Sequence, residues 1–93
     1  VDFTFTASRD TSEDEINTAV TNAAKGPLSG ILGVYDEPLV SSDFNHDSRS
    51  SIFSLDGTKV INNRFVRIMS WYDNEWGFSK RMLDSAAKMG ETL

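Results

Sequence analysis

The 93-residue sequence contains no cysteine. These residues therefore hold no disulfide framework, no thiolate zinc site and no cysteine nucleophile. They also lack an apolar run long enough for a membrane span and a charged-then-apolar signal at the start. Nine basic residues stand against fourteen acidic ones, a formal charge of −5, and no basic stripe suits a phosphate backbone. These absences predict a cytoplasmic protein with no membrane partner and no nucleic-acid partner.

The start of the sequence predicts a strand followed by a helix. Apolar and polar residues alternate from Val1 to Ser8, which is the period of a strand with one buried face. Ser12 and Glu15 form an S-x-x-E capping-box pattern. Apolar residues then recur at helical spacing, at Ile16, Ala19, Val20 and Ala23. Because Gly26 and Pro27 end a helix, we expect an amphipathic helix up to Lys25 that lies on a sheet.

Short extended segments and turns are predicted for the middle of the chain. The extended segments are residues 30–35, 39–44, 50–54 and 58–61. Asp56-Gly57 is a hairpin signal between the last two segments, and Asn62-Asn63 makes the next turn. With a final strand and helix, this order predicts an α+β fold, a mostly antiparallel or mixed sheet with two helices on one face. No repeat, low-complexity segment or linker divides it further.

The most informative stretch is the passage from a strand into the last helix. Residues 65–72 are rich in β-branched and aromatic side chains and predict a strand. Asp73 is a natural N-cap for the helix that follows, whose apolar residues recur at helical spacing at Phe78, Met82, Ala86 and Met89. Between them, Asn74 carries an amide that can recognise a carboxamide by complementary hydrogen bonds. The alternative is that Asn74 only belongs to the first helical turn and supports the cap.

The run from Ser70 to Met82, SWYDNEWGFSKRM, closely resembles the near-terminal segment of phosphorylating glyceraldehyde-3-phosphate dehydrogenases. Segments 25–33, 43–47 and 50–53 resemble the catalytic domain of that family in the same order, so the resemblance covers essentially the whole chain. It implies that residues 1–93 are the C-terminal portion of this catalytic domain, without the nucleotide-binding domain. A chain that starts at Val1 rather than at a methionine agrees with that expectation.

The resemblance also implies a function. The family oxidises and phosphorylates a phosphosugar aldehyde of glycolysis through a cysteine thioester, with NAD or NADP as cofactor. The Asn matching Asn74 binds the nicotinamide carboxamide and fixes which face of the ring meets the substrate. Phe78 matches a position near the ring where many relatives carry tyrosine, so we expect packing there without a hydroxyl hydrogen bond.

The same resemblance places the catalytic cysteine, its histidine and the phosphate-binding arginine upstream of these residues. No catalytic residue is therefore assigned here, and the isolated fragment is expected to be inactive. The expected partners are the chain's own N-terminal nucleotide-binding domain and the other subunits of a homotetramer. Two alternatives stay open: erythrose-4-phosphate dehydrogenase, which shares the motifs at 43–47 and 73–78, and a stand-alone, non-catalytic assembly module.

Three further groups of residues are expected to be structural. His46 with Asp43 and Asp47 falls far short of a metal ligand set, and no metal site is assigned; Asx residues in a turn bond to nearby backbone instead. Scattered basic residues are expected in surface ion pairs rather than at phosphates, namely Arg49, Arg64, Arg67, Lys80 and Arg81. Aromatic residues at the junction are expected in the core rather than as stacking platforms, namely Trp71, Tyr72, Trp76 and Phe78.

Overall fold

The computed structural model describes all 93 residues as a mixed sheet with two helices. The strands are β1 (Asp2–Thr6), β2 (Leu32–Tyr35), β3 (Ser51–Ser54), β4 (Lys59–Ile61) and β5 (Phe65–Trp71). The helices are α1 (Glu13–Lys25) and α2 (Trp76–Gly90). The α+β fold class predicted from the order of elements is confirmed.

The sheet is built around β5. β1 runs antiparallel along one edge of β5, with Phe3 opposite Ile68. β3 and β4 both pair antiparallel with β5, at its C-terminal and N-terminal ends respectively. Since β1 occupies one edge, β3 and β4 lie end to end along the other. β2 completes the sheet as a parallel neighbour of β3.

The hairpin predicted at Asp56-Gly57 is wrong, because β3 and β4 pair with β5 and not with each other. The turn instead shifts the chain from one half of the β5 edge to the other. Ser54 holds it, since its hydroxyl oxygen accepts a hydrogen bond from the Gly57 N–H at 3.1 Å. A local Asp-Gly signal marks a turn but does not determine which strand each arm pairs with.

The extended segment predicted at 39–44 is also wrong, because Ser41–Phe44 forms one 3-10 turn. The Asp43 carboxylate caps this turn and accepts a hydrogen bond from the Val40 N–H at 2.8 Å. Phe44 is buried, with its ring 5.2 Å from Tyr35 and 5.8 Å from Trp71 between centroids. The cap and the buried aromatic contacts outweigh the β propensity of the segment.

The turn predicted at Asn62-Asn63 is confirmed as the connection between β4 and β5. Both residues have positive φ, 52° and 65°, and the Arg64 N–H donates to the Ile61 carbonyl at 3.3 Å. This is the conformation that matches the twist of a tight hairpin, and asparagine tolerates it better than most residues.

The first helix begins after Ser12 and ends at Lys25 as predicted, but only the serine half of the predicted capping box forms. The Ser12 hydroxyl oxygen accepts a hydrogen bond from the Glu15 N–H at 3.1 Å. The Glu15 carboxylate accepts from the Thr11 hydroxyl at 2.9 Å, and this bond and then Arg9 hold the pKa of Glu15 below its usual value. α1 is attached to the turn between β3 and β4 by Asn17, whose amide donates to the Leu55 carbonyl and accepts from the hydroxyl of buried Thr58.

The second helix is attached to the rest of the chain only at its beginning. Gly77 is its one buried residue, and every residue after Arg81 is exposed. The radius of gyration is 15.2 Å, against about 12 Å for a compact chain of this length, because α2 extends beyond the sheet. Neither helix is long and apolar enough to cross a membrane.

Candidate functional site

Asn74 lies in the short connection between β5, which ends at Trp71, and α2, which begins at Trp76. The predicted N-cap role of Asp73 is wrong. The residue before the helix is Glu75, which makes no side-chain cap, and the Asp73 carboxylate instead accepts a hydrogen bond from the His46 N–H at 2.5 Å. The Asp73 carboxylate, which the local pattern predicts as a helix cap, therefore binds the backbone N–H of a residue far away in the sequence.

Asn74 faces an open cavity of about 260 Å³ at the start of α2. The lining residues come from the junction, the helix and the loop before β3: Ser50, Tyr72, Asn74, Gly77, Phe78 and Arg81. Both residues predicted to bind cofactor, Asn74 and Phe78, therefore line one cavity. A second depression is lined by Asn74 together with Ser41 and Asn45. Asn74 therefore lines two neighbouring depressions.

The Asn74 amide makes no hydrogen bond with another group of the chain. The residue is exposed, so its carbonyl oxygen and NH2 group are both open to a ligand. A primary amide in this state can donate to and accept from a carboxamide at the same time. The alternative was that Asn74 supports the helix cap, but its side chain makes no hydrogen bond to the start of α2.

The loop at residues 45–50 attaches to both sides of Asn74. Before it, Asp73 accepts the His46 N–H; after it, the indole of Trp76 stacks on the His46 imidazole, with ring centroids 4.5 Å apart. Further along α2, Arg81 donates to the Ser50 hydroxyl at 3.1 Å. Sequence reasoning missed this set of contacts. No spacing signal connects His46 with Asp73, which lie 27 positions apart.

The acidic residues around His46 are engaged in other contacts. Asp43 caps the 3-10 turn, and Asp47 accepts from the Arg49 backbone N–H at 3.0 Å and from its guanidinium at 3.0 and 2.7 Å. The hydrogen bonds from Arg49 hold the pKa of Asp47 below its usual value. No group of three or more His, Asp or Glu residues is placed to hold a metal ion. The expected backbone bonding of these Asx residues is confirmed for Asp43 and Asp47.

Four of the five basic residues form the expected ion pairs, and Lys80 does not. The pairs are Arg49 with Asp47, Arg64 with Asp10, Arg67 with Asp2 and Arg81 with Asp84. The Arg67 guanidinium holds the pKa of Asp2 below its usual value. Lys80 instead lies over the Trp76 ring, 5.7 Å from its centroid. Arg81 is also in the cavity that Asn74 lines.

The expectation that the junction aromatics are core residues is wrong for three of them. Trp71 is partly buried and stacks on Phe44, but Tyr72, Trp76 and Phe78 are exposed, Phe78 by 62%. The physical reason is that only Gly77 of α2 is buried against the rest of the chain, and the helix extends beyond the sheet. Nothing in these residues covers its apolar side.

Comparison with known proteins identifies the family. The family model described as "Glyceraldehyde 3-phosphate dehydrogenase, C-terminal domain" matches residues 1–74. The chain is 60% identical over 93 residues to "Glyceraldehyde-3-phosphate dehydrogenase" of Cereibacter sphaeroides, covering all of this chain and 28% of the relative. It is 56% identical over 91 residues to the protein of that name from Xanthobacter flavus, covering 98% of this chain and 27% of the relative.

A plant protein is similar as well. "Glyceraldehyde-3-phosphate dehydrogenase 3, cytosolic" of Zea mays is 48% identical over 92 residues, covering 99% of this chain and 27% of the relative. The chain thus spans little more than a quarter of the length of these relatives. The family match covers all five strands and α1 up to Asn74, and the identities extend through α2. The chain belongs to the glyceraldehyde 3-phosphate dehydrogenase C-terminal domain family.

Proposed function

We propose that this chain is the C-terminal portion of the catalytic domain of an NAD- or NADP-dependent glyceraldehyde-3-phosphate dehydrogenase, in which Asn74 orients the nicotinamide. The observation that carries the proposal is the exposed Asn74 amide, free of hydrogen bonds within the chain and facing a cavity of about 260 Å³. The nicotinamide cofactor, when bound, supplies the acceptor for the hydride. The chain's own contribution is orientation, which can supply several kcal/mol of rate acceleration.

Two residues would hold the nicotinamide in this proposal. The Asn74 amide is complementary to a carboxamide, since each offers one acceptor and a pair of donors. Phe78 lines the same cavity and has no hydroxyl, so it contributes apolar packing alone. Because the chain has no cysteine, it cannot form the thioester of the family's reaction, and we propose that the isolated 93 residues are inactive.

The names of the relatives support glyceraldehyde 3-phosphate rather than erythrose 4-phosphate as the substrate. Their greater length supports the complete enzyme over a stand-alone assembly module. The word cytosolic in the maize name supports the cytoplasm as the location. An assay of the complete enzyme with both sugar phosphates distinguishes the two substrates. The length of the open reading frame distinguishes a complete enzyme from a stand-alone module.

The proposed partners are an N-terminal nucleotide-binding domain and the other subunits of a homotetramer. Support comes from the apolar side of α2, where Met82, Leu83 and Met89 are 56%, 65% and 71% exposed, since a contiguous apolar surface of this kind marks an interface. Ile61 and Phe65, which lie opposite each other on β4 and β5, leave a second exposed apolar surface on the sheet. Sedimentation of the complete protein tests the tetramer, and protection of the α2 amides from hydrogen exchange tests its coverage.

The proposed role of Asn74 is tested with Asn74→Ala in the complete enzyme. We expect kcat to fall by about 10- to 100-fold, because small losses of positioning carry costs of this size. With aldehyde deuterated at C1, we also expect deuterium on both faces of the reduced nicotinamide. The matched control is Asn22→Ala, an exposed amide on α1. Unchanged kcat together with transfer to a single face would remove Asn74 from the site.

A further inference from the structure

The amide that the proposed function depends on lies in a connection that has little structure of its own. Residues 72–75 join β5 to α2 without a side-chain cap on the helix. Tyr72, Asn74 and Glu75 are exposed, and Asp73 alone is partly buried. Without outside support, such a segment would let the Asn74 amide take several orientations, and each unused orientation reduces its value for positioning a ligand.

That support comes from the loop before β3, and first from the backbone of His46. The His46 N–H donates to the Asp73 carboxylate at 2.5 Å. A charged acceptor makes this stronger than a hydrogen bond between neutral groups. Since Asp73 is directly before Asn74, the bond fixes the chain on the entry side of the amide.

The His46 side chain supplies the second attachment. Its imidazole stacks on the Trp76 indole, with centroids 4.5 Å apart and planes 26° apart. His46 also has a φ of 63°, a left-handed conformation that is uncommon outside glycine and persists when its surroundings demand it. One residue in a strained conformation therefore contacts the chain on both sides of Asn74.

The third attachment fixes the direction of α2. Gly77 lies so close to the loop that a Cβ atom there would come within 2.8 Å of the Arg49 carbonyl oxygen. Arg81 then donates to the Ser50 hydroxyl at 3.1 Å. The loop itself is stiffened by the bidentate pair between Arg49 and Asp47. The loop is thus a rigid support for the turn that carries Asn74.

We propose that Asp73 and His46 are positioning residues for Asn74, and this proposal rests on the proposed function. Neither residue lines the cavity that holds Asn74 and Phe78. They act on the reaction through the amide, by holding the backbone before and after it. Specificity for one face of the nicotinamide would therefore depend on two side chains that do not touch it.

The test compares Asp73→Ala with Asp73→Asn in the complete enzyme. Asparagine keeps an oxygen that can accept the His46 N–H, whereas alanine removes the acceptor. For Asp73→Ala we expect kcat to fall by about 10-fold, with the KM for the aldehyde nearly unchanged. With C1-deuterated aldehyde, deuterium should appear on both faces of the nicotinamide. Asp73→Asn should retain most of kcat and transfer to one face.

A second variant covers the case in which Asp73→Ala does not fold. His46→Gly keeps the backbone N–H and the positive φ but removes the ring that stacks on Trp76. We expect a loss of about 3-fold in kcat and partial loss of face selectivity. Asp14→Ala is the control, because it removes an exposed carboxylate in the first turn of α1, at the other end of the sheet. It should change neither quantity.

A double variant separates this proposal from the proposed function. If Asp73 acts through Asn74, then Asp73→Ala adds little further loss to Asn74→Ala. Additive losses in the double variant would overturn the positioning role and leave the proposed function intact. The same conclusion would follow if Asn74→Ala lost face selectivity while Asp73→Ala and His46→Gly still transferred deuterium to one face. Wild-type behaviour of Asn74→Ala itself would remove both. Lower thermal stability of Asp73→Ala with full face selectivity would show a purely structural role and also overturn the proposal.

Discussion

The two helices of this chain differ in what their apolar sides contact. α1 has 13 residues and α2 has 15, and both have apolar residues at helical spacing. α1 is capped by Ser12 and joined through Asn17 to the turn between β3 and β4. α2 has no side-chain cap and leaves the sheet after Arg81. An amphipathic pattern shows that a helix has a side to bury, but it does not show which surface will cover that side.

The largest effect is expected where α2 is attached. In Gly77→Ala the new Cβ would lie 2.8 Å from the Arg49 carbonyl oxygen and 3.2 Å from the Ser50 Cα, so backbone must shift, which costs about 1–3 kcal/mol. Urea unfolding of the 93-residue chain measures the loss. The control is Gly90→Ala, where a Cβ meets nothing within 4 Å and alanine favours the helix. Equal stability of the two variants would contradict the close contact.

The attachment of α1 is tested with Asn17→Ala. The substitution removes the 3.1 Å bond to the Leu55 carbonyl and the 2.6 Å bond from the Thr58 hydroxyl. Because Thr58 is only 2% exposed, its hydroxyl is left without a partner, and we expect a loss of about 2 kcal/mol. The same urea titration measures it, with the exposed Asn22→Ala as control. A loss as small as that of the control would mean that α1 is held by apolar packing alone.

The loop that supports α2 should be sensitive to acid. Arg49 lowers the pKa of Asp47 in the folded chain, so the pair stabilises the fold above the unfolded pKa of about 3.9. That contribution is lost as the pH falls through the lower folded pKa. Since the Asp47 side chain is 17% exposed and Arg49 37%, the pair is worth about 1 kcal/mol.

Unfolding titrations between pH 7 and pH 2 measure this contribution. Asp47→Asn should remove it, so that the difference from wild type is present at pH 7 and disappears at the acid end. The control is Asp36→Asn, an exposed carboxylate in a turn. A difference from wild type that persists unchanged at low pH would show that the effect is steric rather than electrostatic.

The smallest effect is expected on the free side of α2. Leu83 is 65% exposed, so Leu83→Ala should change the stability of the 93-residue chain by less than about 0.5 kcal/mol. In the complete protein the same substitution should cost about 2 kcal/mol or more if another surface covers the helix. Thermal unfolding of both forms measures the contrast. Equally small effects in both forms would show that α2 stays uncovered in the complete protein. The exposed apolar side of α2 would then no longer be evidence for an adjoining domain.

Part of the fold was predictable because its signals are local. Strand alternation predicted β1, the Ser12 pattern predicted the start of α1, and Asn62-Asn63 adopted the left-handed conformations of a tight turn. Each depends on contacts between residues a few positions apart. The predictions failed where a distant partner competed. The β propensity of residues 39–44 was outweighed by the burial of Phe44, and the strands on either side of Asp56-Gly57 pair with β5 instead of with each other.

The candidate site divides in the same way. The amino-acid sequence alone determined that an amide would stand between a strand and a helix, because the strand pattern ends and the helical spacing begins on either side of Asn74. Only the tertiary structure decided what holds that amide. The Asp73 carboxylate is an ordinary helix cap by spacing, yet it binds the His46 N–H. Whether Asp73 accepts from a backbone N–H of the helix or from that of His46 depends on where the fold places residue 46. No local sequence pattern determines that position.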